Sequence, residues 1–397
     1  MADGPVTADN ALAVARDVLK RAPLIDGHND LPWVIRVDRT ARGDVVAYDL
    51  TRVHERADTD IPRLREGMVG AQFWAAFQPT NAPHPARTTL EQIDLIRRIE
   101  EAHPDVFLPA RRAADYARAK AMGRIASFIA VEGGVGLENS LSPLRIWHAA
   151  GMRLMTLCHN ETLDWVDSAT DAPRNNGLNA FGRAVIGELN RLGVVIDLAH
   201  TSHDAMRRVL DVTEAPVALS HSNAYSLCDH PRNTPDDVLT RLKANGGIVM
   251  ATFVPGFISQ PLRDWLRRSR DGYGKAPVAP DPKAQLAELE TKHGSAPKAS
   301  LEQVADHIVR LVETAGLGHV GVGSDYFGGA SPIGLEDVSR FPYLFAELVR
   351  RGFSERDLEK MSSKNMLRVL RRVETVGASL RKTRPPAIGR FEDYREV

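Results

Sequence analysis

Eight short apolar runs recur along the chain, bounded by Gly, Pro or polar residues and separated by longer helical or polar stretches. In order they are PLIDG at 23–27, GMVGAQFWAAF at 67–77, RIASFIAVEGG at 124–134, MRLMTLCHN at 152–160, GVVIDLAH at 193–200, APVALSH at 215–221, GGIVMATF at 246–253 and HVGVGSDY at 319–326. Their apolar residues are near-continuous rather than alternating, as in parallel strands buried on both faces. Between several of them the periodicity is helical: TTLEQIDLIRRIEEAH, SPLRIWHAAG, NAFGRAVIGELNRLG, TPDDVLTRLKANGG and LEQVADHIVRLVETAGLG. Some of these close on Gly after a charged last turn, a common helix stop. Strand then helix, eight times over, predicts an α/β protein of the (β/α)8 TIM-barrel type; a doubly wound open sheet is the competing arrangement.

The N-terminal stretch reads as an amphipathic helix opened by Thr7 or Asp9. The polar, Pro-rich stretch at about 266–300 reads as an insertion between the seventh strand and its helix. Residues 1–378 are expected to form one domain, and 379–397 a peripheral tail. No internal repeat is evident.

The residues at the ends of the apolar runs are chemically unusual. The first run leads into His28 and Asp30, the third into Glu132-Gly-Gly, the fourth into His159, the fifth into His200, the sixth into His221 and the eighth into Asp325. In a (β/α)8 barrel all of these lie at the C-terminal mouth, where active sites of this fold sit. Each residue alone has a plain structural reading. Asp30 suits a helix N-cap, Glu132 a solvated loop, and His200-Thr201-Ser202-His203-Asp204 a helix start capped by Ser202 or Thr201. Together they are harder to explain without cations, because crowded carboxylates and imidazoles are costly unless compensated.

Imidazole with carboxylate suits Zn²⁺, with Co²⁺, Mn²⁺ or Fe²⁺ as substitutes, and two ions per chain are expected. His28 and Asp30 are spaced to face the axis together, His200 and His221 come from adjacent strands and share a second ion, and Glu132 is placed to bridge. Such a pair polarises a carbonyl and deprotonates a shared water, leaving Asp325 to take and pass on its proton.

Composition narrows the partners. Lys and Arg together number 51, and Asp and Glu also 51, so no global charge draws nucleic acid or an anionic membrane, although a local basic patch stays open. Hydrophobic residues make up 43% of the chain, enough for a large core. Cys158 and Cys228 cannot form a disulfide framework. No signal-peptide core, lipid-anchor tail or run of about 18 apolar residues is present, and a cytoplasmic protein is expected. Phosphate-loop, serine-elbow and dinucleotide motifs are all missing.

DGHNDLPW, VEGG, LCHNETLDWVDS, IDLAHTS, ALSHSNAYSLCDHPRNTPDDVL, GVGSDY and KNMLRVL occur in this order between about residues 20 and 372. In this the chain resembles the membrane (renal) dipeptidase family, binuclear zinc peptidases of the amidohydrolase superfamily. The resemblance implies that His28 and Asp30 bind one zinc and His200 and His221 the other, with Glu132 bridging. It implies further that His159 stabilises the tetrahedral oxyanion, Arg232 pairs with the substrate carboxylate, and Asp325 shuttles the proton. Family members hydrolyse dipeptides, often accept a D-residue at the C-terminal position, and frequently form homodimers. A related hydrolase of N-acyl amino acids, lactams or a lactone is the alternative within the same barrel class, and a non-catalytic homologue the alternative outside it. Cys228 falls where animal members carry a cysteine, but no second downstream cysteine accompanies it. Val254 and Pro255 stand where those members have an aromatic residue, which bears on substrate preference.

Overall fold

In the computed structural model, which describes residues 8–55, 57–270 and 282–394, the eight apolar runs become eight parallel strands. They are β1 (Leu24–Asn29), β2 (Val69–Phe77), β3 (Ile125–Glu132), β4 (Met152–Thr156), β5 (Val195–Asp197), β6 (Ala218–Leu219), β7 (Ile248–Ala251) and β8 (Val320–Val322). Each pairs with its neighbours in chain order, and β1 meets β8 at Asp26 and Val322, so the sheet closes into a (β/α)8 barrel. A doubly wound sheet would have left two open edges. The near-continuous apolar runs follow from burial on both faces. On β3, Ala126, Phe128 and Ala130 join the cluster that fills the barrel, while Ile129 and Val131 pack towards the helices.

The five helices read from periodicity are present as Pro85–Ala102, Ser142–Ala150, Ala180–Leu192, Asp236–Asn245 and Leu301–Ala315. Asn179 accepts from Gly182 N to start the third, and left-handed Gly193 ends it. The N-terminal helix spans Ala8–Arg21, placing Asp9 inside its first turn; Thr7 lies outside the described residues. Ser202 caps helix His203–Val212 by accepting from Ala205 N, whereas Thr201 turns back to the carbonyl of Leu198. A short outer strand, Phe107–Pro109, runs beside β3 and leads to helix Ala113–Ala121. Three residues ending in Pro carry too little pattern to announce a strand.

Between β7 and helix Leu301–Ala315 lie helices Gln260–Arg270 and Pro282–His293, with 271–281 outside the described residues. Leu262, Trp265, Leu289 and Ala296 form a small apolar cluster of their own within this excursion. The boundary expected at 378 falls inside helix Asn365–Thr383; beyond it, Phe391 and Tyr394 rest edge-on against Phe181.

At the mouth the strands end earlier than their apolar runs. The Asp197 carboxylate takes the amides of Ala199 and Ser220 at 3.1 and 2.8 Å, so a side chain replaces the next rungs of the ladder. His200 and His221 therefore sit on loops just above β5 and β6. Below them, Gly323 approaches β6 so closely that a Cβ would lie 1.7 Å from the Ser220 carbonyl oxygen. Because backbone must move to admit a methyl group, Gly323→Ala is expected to cost about 3 kcal/mol or more. Denaturant unfolding of the variant checks this, and an unchanged midpoint would contradict the packing argument.

Candidate metal centre and active site

The first two donors owe their placement to an irregularity in β1. From Asp26 to Asn29 three steps of β1 oppose two of β2, Gln72 to Trp74, so the strand bulges and its side-chain alternation shifts. The bulge falls at Gly27, whose missing Cβ leaves room for the Ser220 carbonyl and Met250. His28 comes next, fully buried. Asn29 then turns the chain, its Oδ1 accepting from Leu31 N. Asp30 stands at the N-cap position of helix Leu31–Val37 but makes no capping bond, so its carboxylate is left for the mouth.

The other strand ends converge on the same point. His28 Nε2 lies 3.6 Å from Asp30 Oδ1, 3.4 Å from Glu132 Oε2 and 4.0 Å from Asp325 Oδ1. On the other side, Glu132 Oε1 lies 3.2 Å from His200 Nε2 and 3.9 Å from His221 Nε2. The rings of His159 and His200 have centroids 4.3 Å apart, and those of His28 and His221 3.9 Å. Donor atoms come within 4.8 Å of one another in three sets: His28, Glu132 and His221; Glu132, His159 and His200; His28, Asp30 and Asp325. Glu132 belongs to two of them. The grouping differs from the sequence-based division, which paired His200 with His221, but all the expected donors share one cluster.

His200 and Asp325 both adopt left-handed backbone, with φ of 69° and 62°. That conformation is uncommon for a side-chain-bearing residue and is found disproportionately at functional sites. Asp325 is held by a turn in which Gly328 N donates to its carbonyl. A Cβ on Gly328 would lie 2.2 Å from Asp325 Oδ1, so this glycine gives the carboxylate its space.

The electrostatics are those of many charges in little water. Burial works against a charged His28, yet Glu132 and Asp30 outweigh it and hold its imidazole well above the usual value. Burial, with Arg232 and the neighbouring histidines, keeps His200 and His221 well below theirs. His159 is lowered by burial and Arg232 against the pull of Glu132. In the protein alone, burial pushes the Asp325 carboxyl up to about 8, with repulsion from Asp30 and Glu132 adding to it.

Arg232 closes one wall. It is 1% exposed, and its Nε, Nη1 and Nη2 have no hydrogen-bond partner. The Phe257 ring lies 5.3 Å from the guanidinium carbon. A buried guanidinium with every donor unmet marks a place for an anionic ligand group.

Two buried carboxylates that the sequence reading left without a role organise this centre. Asp197 Oδ2 accepts from Thr156 Oγ1 and Ser220 Oγ, each at 2.6 Å. Ser220 Oγ also lies 2.7 Å from His221 Nδ1. Since the hydroxyl proton goes to Asp197, Nδ1 carries the imidazole proton and Nε2 presents its lone pair to the site. Asp26 does similar work across the seam, accepting from Ser324 N and Oγ at 2.7 Å each. The signal for both was available, as an acid set inside a buried apolar run needs a partner. Asp197→Asn is expected to lower metal affinity by about 10–100-fold, as read by competition with a chelator. Unaltered affinity would remove the orienting role.

His307, by contrast, is a structural residue: its Nδ1 accepts from Ala224 N and its Nε2 faces the Ile258 carbonyl. Cys158 and Cys228 are free and buried.

A family model described as membrane dipeptidase (peptidase family M19) matches residues 12–384. The chain belongs to that family. This M19 metallodipeptidase shares its fold with the probable dipeptidase PvdM from Pseudomonas aeruginosa, at 24% identity and a TM-score of 0.79 over 93% of this chain and 99% of that one. It is also similar to a metallopeptidase from Rhodobacter sphaeroides, solved with a phosphinate mimic of the dipeptide L-Ala-D-Ala. There the identity is 22% and the TM-score 0.72, over 89% of this chain and 99% of the other. An amidohydrolase from Pseudomonas aeruginosa is 20% identical, with a TM-score of 0.69 over 90% and 98%. Membership in family M19 implies a divalent metal, and the donors of this M19 protein fit one. His28 Nε2 and His221 Nε2 are buried without hydrogen-bond partners and lie beside Glu132. No helix among the described residues is long and apolar enough to cross a membrane.

Proposed function

We propose that this protein hydrolyses free dipeptides, including those with a C-terminal D-residue, at a centre of two zinc ions. The observation that carries the reading is the pairing of a compact donor cluster with Arg232, a buried guanidinium whose donors are all unmet. His28 and Asp30 would hold one ion, His200 and His221 the other, and Glu132 would stand between them. When bound, the ions supply Lewis-acid polarisation of the scissile carbonyl and a lowered pKa for the attacking water.

The chain's own residues do the rest. Arg232 receives the substrate's terminal carboxylate and fixes the peptide bond relative to the cluster. His159, kept neutral by burial, donates an N–H to the oxygen that becomes negative as the carbonyl turns tetrahedral. Asp325 takes a proton from the attacking water on a carboxylate oxygen and returns it to the leaving amine nitrogen. Acceptance of a D-residue is supported by the L-Ala-D-Ala mimic held by the similar metallopeptidase. The same reading includes a homodimer, drawn from the family resemblance, and a cytoplasmic location, with which two free, buried cysteines are compatible.

A panel of L,L and L,D dipeptides, N-acyl amino acids and lactams, assayed with zinc-loaded protein, tests the proposal. Dipeptides are expected to be the best substrates, with about two ions bound per chain. Preference for an N-acyl amino acid or a lactam would transfer the site to another hydrolase class. Full metal loading without turnover of any of these compounds would indicate a non-catalytic protein.

A further inference from the structure

At the other end of β3 from Glu132, a cleft of about 350 Å³ opens between the barrel wall and the last turn of helix Pro85–Ala102. This is within the range of about 300–1,000 Å³ typical of small-molecule sites. Ser127 belongs to the helix-facing set of β3, since Ala126 and Phe128 on either side fill the barrel. Five steps along the strand separate it from Glu132, roughly 17 Å, so the cleft is not part of the mouth.

Its polar lining is unusual. Glu100 is 7% exposed and faces the cleft beside Ser127, whose hydroxyl is buried with it. Burial pushes the Glu100 carboxyl up to about 7, against the pull of Ser127, Arg97 and Arg111. Arg97, Arg111 and Arg124 also line the cleft, and none of the three forms an ion pair among the described residues. Arg97 and Arg111 reach only the carbonyls of Ala150 and Ala149, and the Arg124 side chain makes no hydrogen bond to any described residue. Elsewhere in the chain, Arg63, Arg191 and Arg351 all find carboxylates.

A simple anion would satisfy the arginines but stand against Glu100. A simple cation would satisfy Glu100 but meet three guanidinium groups. A molecule carrying both charges one carbon apart answers both demands. We propose that this cleft binds a free α-amino acid, its ammonium on Glu100 and Ser127 and its carboxylate on the arginines, with Phe107 beside its side chain. Free amino acids are the chemical class that the proposed dipeptide hydrolysis releases, so on that reading the cleft holds a product of the reaction at a site remote from the chemistry.

Calorimetric titration of the metal-loaded, full-length protein with L-alanine and L-leucine tests this, with sodium acetate and methylamine as single-charge probes. Saturable binding with a millimolar Kd is expected for an amino acid, and weaker binding by about tenfold or more for either single-charge probe. Arg124→Ala and Glu100→Gln should each weaken the amino acid about tenfold or more, whereas Arg232→Met should leave this binding intact. Dipeptide turnover by Arg124→Ala should match wild type. Binding lost in Arg232→Met but retained in Arg124→Ala would place the amino acid in the mouth and overturn the proposal. Acetate binding as tightly as the amino acid, or no saturable heat at all, would also overturn it. Should Glu100→Gln fail to fold, Arg97→Ala beside Arg124→Ala carries the same test.

Discussion

Asp325→Asn is expected to lower kcat for dipeptides by about 10²–10⁴-fold while leaving metal content and KM close to wild type. The substitution keeps the shape of the side chain, and Asn tolerates the left-handed backbone that Asp325 adopts. The Asp325–Gly328 turn depends on a backbone carbonyl and should persist. What disappears is the ability to hold a proton. Asp325 is suited to that task by its place, with its Oδ1 4.0 Å from His28 Nε2 inside the donor cluster. Steady-state kinetics with parallel metal analysis reads the result. Wild-type turnover at full metal loading would end the proton-shuttle assignment.

Arg232→Met should act in two opposite directions. For a free dipeptide, kcat/KM is expected to fall about 10²-fold or more, chiefly through KM, since a buried charge-assisted pair is worth about 2–5 kcal/mol. For the same dipeptide amidated at its C-terminus, the loss should be much smaller, because no carboxylate is there to be held. Meanwhile the folded protein should gain about 1–3 kcal/mol, as an unpaired buried guanidinium gives way to an apolar side chain of similar length. Arg232 is 1% exposed with three unmet nitrogens, so methionine keeps most of the buried volume and removes the unpaired charge. Paired substrates in the assay and a denaturation curve test both halves. Equal damage to free and amidated substrates would show that Arg232 serves something other than the carboxylate.

The barrel was legible in the sequence because strands buried on both faces are written as unbroken apolar runs, and each of the eight runs contains a strand. The Phe107–Pro109 strand was not, since three residues hold no periodicity. The convergence of the strand ends was equally legible: His28, Asp30, Glu132, His159, His200, His221 and Asp325 all sit at or just past strand ends and meet at the mouth. Their exact grouping was hidden, because it depends on a one-residue bulge in β1 and on left-handed backbone at His200 and Asp325. Neither feature has a reliable sequence signature outside glycine. Arg232 came from the family resemblance rather than from spacing; only burial with every donor unmet gives it a physical argument. The supporting acids were visible as residues but silent as to partner, since Asp26 reaches Ser324 and Asp197 reaches Thr156 and Ser220 only once the barrel has closed.

The seam between β1 and β8 sets the order of events in the making of this protein. Ser324 N donates to Asp26 across 298 residues of chain, and Asp325 N donates to the carbonyl of His28 beside it. A ribosome adding about 5–20 residues per second needs about 15–60 s to travel from one side of that seam to the other. Throughout that interval His28 and Asp30 have emerged but lack the strand that completes their pocket. Assembly of the full donor set is therefore a late event of biogenesis, and a nascent chain arrested before residue 320 should not retain the metal complement of the finished barrel.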